Sequence, residues 1–219
     1  MKNVLSKIAV IVAVATTATA QVQAYSYTFT NLTKDEIGVG LRYQGLGEPR
    51  YFRWIPSEQA RQFTPNQAVA ANERGIEGRK IGFVAGTWWY VRNPNPALKV
   101  DHNTAKTMPW EEFQITWMPT ESYKLAAKLG KAVTDFSMAA GQIVVDVGLA
   151  AAAAAAAPET GGVSLAAITA GQSVDKSTLF NTLGKVIKAA GSLGARSMMT
   201  NRQITIVDTP EGIKFMCQL

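Results

Sequence analysis

Apolar and polar positions alternate along the first half of the chain, and that period predicts strands. Tyr25, Tyr27 and Phe29 are interleaved with Ser26, Thr28 and Thr30. Ile37, Val39, Leu41 and Tyr43 are interleaved with Gly38, Gly40, Arg42 and Gln44. The intervening Asn31–Glu36 segment has turn composition, so these two strands are expected to pair as a hairpin. Arg50–Trp54 predicts a third strand and Arg61–Phe63 a short one. Lys80–Val84 and Thr87–Arg92 are expected to form another hairpin about Gly86. Phe113, Ile115 and Trp117 mark a strand ended by Pro119.

Near Tyr123 the period changes. Leu125, Leu129, Val133, Phe136, Ala140, Ile143 and Val147 recur every three or four residues, with Lys124, Lys128, Lys131 and Asp135 at the other positions. This predicts an amphipathic helix. The eight alanines at Ala150–Ala157 extend it to about 35 residues, roughly 50 Å, before Pro158 and Gly161 end it. Asp175 or Ser177 can cap a second helix carrying Leu179, Leu183, Val186, Ile187, Ala190 and Leu193. Strand pattern then returns at Ile204 and Ile206, turns at Asp208–Gly212, and closes with Ile213, Phe215 and Cys217. The expected fold class is therefore α+β: an antiparallel β-sandwich-like domain over residues 25–123. A helical hairpin is inserted at 124–200, and a C-terminal strand pair at 201–219 rejoins the core.

The first residues change the picture of location. Lys2 and Lys7 precede or flank the apolar run Ile8–Ala15, and small residues follow at Ala18-Thr19-Ala20 and Val22-Gln23-Ala24. That order predicts a signal peptide over residues 1–24, with cleavage after Ala24 favoured over Ala20 because strand pattern begins at Tyr25. The expected location is periplasmic, extracellular or otherwise envelope-associated. Without the leader, 20 basic residues face 16 acidic ones, a net charge of +4 with no run of five or six like charges. Such a balance weakly favours an anionic membrane surface or an envelope polymer, and it lacks the footprint of a nucleic-acid binder.

Composition narrows the chemistry further. One His and one Cys cannot build a Cys/His zinc cluster, and Cys217 has no disulfide partner within the chain. Lys176-Ser177 resembles the end of a phosphate-binding loop, but the positions one and six residues before the lysine, Asp175 and Ala170, are not glycines. There is no G-x-S-x-G elbow, and His102 reads as a solvated loop residue. Asp35-Glu36 and Glu111-Glu112 read as turn or surface charges, since adjacent strand residues face opposite ways. No catalytic residue, metal ligand or cofactor is expected.

Two binding features remain. In Trp88-Trp89-Tyr90 the first and third rings share one strand face and Trp89 takes the other. The expectation is that the opposing sheet covers one face and the helical hairpin the other. The alternative leaves rings exposed to stack on sugars or enter a bilayer interface. Lys124, Lys128 and Lys131 lie near the start of a long apolar-faced helix, which suits contact with an anionic membrane. The expected function is a non-enzymatic binding or envelope-associated module whose partner is an envelope component or another protein. A membrane-active protein using the helical segment is the alternative.

Overall fold

The computed structural model describes residues 26–43, 51–63, 86–138, 143–144, 173–190 and 201–219. The expected leader, the strand at Lys80–Val84 and the alanine run lie outside these residues. The described chain is mixed α+β, with strands in mostly antiparallel sheets and three helices.

Five strands form the first sheet, in the order β4-β1-β10-β11-β7: β4 (Ala60–Phe63), β1 (Tyr27–Leu32), β10 (Arg202–Thr209), β11 (Gly212–Gln218) and β7 (Ile115–Met118). Two of its pairings, β1 with β10 and β11 with β7, are parallel. Four strands form the second sheet, in the order β3-β2-β5-β6: β3 (Tyr51–Ile55), β2 (Glu36–Tyr43), β5 (Gly86–Asn93) and β6 (Glu111–Glu112). A two-stranded ribbon pairs β8 (Ile143–Val144) with β9 (Ser173–Val174).

The expected hairpin between β1 and β2 does not form, because the two strands belong to different sheets. The reason lies in the connecting residues. Asn31 is fully buried and donates from Nδ2 to the carbonyls of Asp35 and Ile55, both at 2.8 Å, while its Oδ1 accepts from the Thr33 amide (2.9 Å) and hydroxyl (2.8 Å). With its amide side chain engaged on both ends, Asn31 holds the chain in a corner rather than a two-strand turn. A second break occurs at Phe113-Gln114, where the expected single strand divides into β6 in one sheet and β7 in the other. One bent segment thus belongs to both sheets.

Inward-facing side chains of the two sheets share one core. Tyr27, Phe29, Ile204, Ile206 and Phe215 from the first meet Ile37, Val39 and Ile55 from the second. Phe113, at the bend, stacks on Phe215 with centroids 3.5 Å apart. At one end of this core Arg92 reaches Asp208 of β10 at 2.5 Å and Asp35 at 3.3 Å, joining both sheets ionically. Of the two readings its sequence context allows, turn or surface charge, Asp35 fits the first: it sits in the bend between β1 and β2 and is buried there.

Among the described residues, three helices complete the fold. The first, α1 (His102–Thr107), is capped by Asp101, whose carboxylate accepts from the Thr104 amide at 2.7 Å, so His102 opens a helix rather than sitting in a loop. Helices α2 (Thr120–Met138) and α3 (Lys176–Ala190) pack against each other and against the outer side of the five-stranded sheet. Their buried stripes, Leu125, Leu129 and Val133 on α2 and Leu179, Leu183, Val186 and Ile187 on α3, close over Val207 and Met216 of that sheet. Asp175 caps α3 through the Thr178 amide at 2.7 Å. The expected 35-residue helix is overturned, because α2 ends at Met138 and Ile143–Val144 is a strand. Gly141 costs helix propensity, and the β-branched run Ile143-Val144-Val145 favours extended backbone.

Candidate functional site

Each side chain of β5 is placed by alternation across the second sheet. Trp88 and Tyr90 face the shared core. Trp88 packs edge-on against Tyr27 at 5.5 Å and Phe63 at 5.3 Å, and Tyr90 meets Phe215 at 5.4 Å. The Tyr90 phenol donates to Glu111 Oε2 at 2.5 Å. Burial, then this hydrogen bond to a carboxylate, raises its pKa well above the ordinary phenol value, so it stays protonated. Two of the three expected ligand residues thus pack, partly buried, against the shared core.

Trp89 takes the opposite, outer face. The helical pair lies against the other sheet, so the expectation that it covers Trp89 is corrected. Cross-strand register puts Phe52, Gly40, Trp89 and Glu112 in one row across the sheet, with Trp54, Gly38 and Val91 in the next. Residues directly opposite share a face. Phe52, Trp54 and Trp89 are half-buried there, joined by Trp110 from the segment before β6. The Phe52 centroid lies 5.5 Å from Trp110 and 6.3 Å from Trp54. The Trp110 indole N–H donates to the Ala105 carbonyl of α1 at 2.7 Å, which anchors its ring.

Gly38 explains how Trp54 lies against the sheet. A Cβ at Gly38 would come within 3.0 Å of Trp54 Cζ3 and 2.9 Å of Val91 Cγ1. The missing side chain lets the indole rest on β2. Trp54 Nε1 is buried without a hydrogen-bond acceptor among the described residues. Beside Trp89, Glu112 is exposed and forms no ion pair among the described residues. Four aromatic rings and a carboxylate thus occupy one outer face. Alternation exposed Trp89 to sequence reasoning, whereas Phe52, Trp54 and Trp110 join it only through strand order and the bend at β6.

The three lysines lie on the exposed side of α2. Lys124 pairs with Glu121 at 2.7 Å, and Lys131 pairs with both Glu58 and Asp135 at 3.0 Å. Those two carboxylates raise the pKa of Lys131. Nearby acids therefore offset the positive charge that would draw this helix to an anionic surface. No helix among the described residues is long and apolar enough to cross a membrane.

Other places offer less chemistry. A polar cleft of about 430 Å³ between α3 and the sheet is lined by Thr116, Ile187, Lys188, Glu211 and Lys214, with Glu211 and Lys214 paired at 3.4 Å. The buried Cys217 thiol is pushed up to about 11 by desolvation, so it stays protonated near neutral pH and is a poor nucleophile. No three His, Cys, Asp or Glu side chains among the described residues gather to hold a metal ion. Compared with known protein families, curated proteins and solved structures, the chain matches none.

Proposed function

We propose that the chain is an exported, non-enzymatic binding module that meets an envelope component through the outer aromatic face of its four-stranded sheet. The observation that carries this reading is the collection of Phe52, Trp54, Trp89 and Trp110, all partly open to solvent, on one face. Clustered half-exposed aromatic rings characterise binding surfaces more than ordinary exterior. On this reading the two sheets form a sandwich-like body, and the segment holding α2 and α3 is an insert before the C-terminal strand pair. The shared inward core and the burial of the helices' apolar stripes on the five-stranded sheet support that arrangement. They also weigh against a membrane-active role, because leaving the sheet would expose Leu125, Leu129, Leu179 and Leu183 to water.

Sedimentation of the purified protein with insoluble envelope material, and with neutral and anionic liposomes, tests this reading. Pelleting with envelope material that weakens on Trp89→Ala is expected, with no pelleting on either liposome type. Liposome binding that survives Trp89→Ala would instead favour the membrane-active alternative.

A further inference from the structure

Resting on the binding-module reading, we propose that the outer aromatic face takes a neutral polysaccharide chain, with Trp89 stacking on a sugar ring and Glu112 accepting a hydrogen bond from its hydroxyls. Trp89 and Glu112 are cross-strand partners, so their side chains leave the sheet side by side on the same face. A sugar needs that combination: its C–H face is apolar and packs on an aromatic plane, while its edge carries hydroxyls that seek acceptors. Phe52, Trp54 and Trp110 extend the aromatic surface beyond one ring, which suits a chain of several units. Charge selects among polymers. Glu112 is exposed on this face beside Trp89, so phosphate-rich polymers and anionic bilayers are repelled there, whereas a neutral glycan is not.

The probe is insoluble envelope material from the producing cell, divided into three portions: untreated, protease-digested, and oxidised with periodate, which opens sugar rings bearing vicinal hydroxyls. Binding should survive protease and disappear after periodate. Trp89→Ala should weaken binding to the digested material about tenfold, with Trp89→Tyr restoring most of it. Glu112→Gln should weaken it about threefold, and because Glu112 is exposed, this variant decides the matter should Trp89→Ala fail to fold. Binding abolished by protease, unaffected by periodate, or indifferent to both positions would overturn the glycan assignment while leaving the binding module standing. Failure to bind the untreated material would remove both.

Discussion

Replacing Gly130 by alanine puts a methyl group where α2 crosses β10, and the result reports whether the helix rests on the sheet. The new Cβ would lie 2.4 Å from Val207 Cγ1 and 3.2 Å from Val207 Cβ, whereas carbon atoms in contact sit about 3.5–4.0 Å apart. Val207 is fully buried on a central strand, and its β-branched side chain has little rotamer freedom, so the helix must lift. Overpacking of this kind costs about 1–3 kcal/mol. The 2.4 Å approach puts this site in the upper part of that range, about 2–3 kcal/mol, and the gain in helix propensity returns about 1 kcal/mol, leaving Gly130→Ala destabilised by roughly 1–2 kcal/mol. Gly184 on α3 supplies the internal control. Its added Cβ would meet only the Pro210 ring, Cδ at 3.2 Å and Cγ at 3.6 Å, in an exposed turn that can yield, so Gly184→Ala should be neutral or stabilised by about 0.5 kcal/mol. Urea unfolding reads both, as a change in midpoint at constant slope. Equal behaviour of the two variants would refute the packing of α2 on β10, and with it the reading of these helices as a fixed cover.

Three further outcomes follow from charges and caps. Arg92→Met leaves Asp35 buried without its guanidinium and should cost about 2–3 kcal/mol in urea unfolding, less than a fully buried pair because Arg92 is 38% exposed; a loss under 0.5 kcal/mol would mean that the two sheets do not depend on this link. The Asp175 carboxylate has its pKa lowered, chiefly by the Thr178 amide it caps. Its stabilisation is therefore present above the unfolded carboxylate pKa and lost as pH falls through the lowered folded value. Asp175→Ala should lower the urea midpoint at neutral pH, Asp175→Asn should restore most of it, and the gap between Asp175→Ala and the parent should close in acid. Cys217 should resist a thiol reagent at mildly alkaline pH and react at once when the chain is unfolded; fast reaction of the folded protein would contradict its burial.

The local elements were legible where one physical cause dominates. The three-to-four-residue spacing of Leu125, Leu129 and Val133, and of Leu179, Leu183 and Val186, marks the faces that the helices bury. Alternation likewise separates Trp89 from Trp88 and Tyr90. Strand order was not legible, because β1 pairs with β10, far along the chain, and periodicity carries no information about partners. The apparent β1–β2 hairpin failed because Asn31 is saturated by buried hydrogen bonds, a property of its surroundings rather than of the turn composition. For the same reason the aromatic face could not be assembled beforehand. Phe52, Trp54 and Trp110 reach Trp89 only after β3, β2, β5 and β6 are set in order, and Gly38 reads as a generic strand glycine until Trp54 lies over it.

If the aromatic sheet face meets the ligand while the helices serve as cover, amide hydrogen exchange on the purified protein, with and without protease-digested envelope material, will separate the two surfaces. Exchange should slow in peptides spanning residues 51–55, 86–93 and 110–112, with residues 120–138 and 176–190 unchanged. Protection confined to the two helices, with the four-stranded sheet unaffected, would contradict that division of roles.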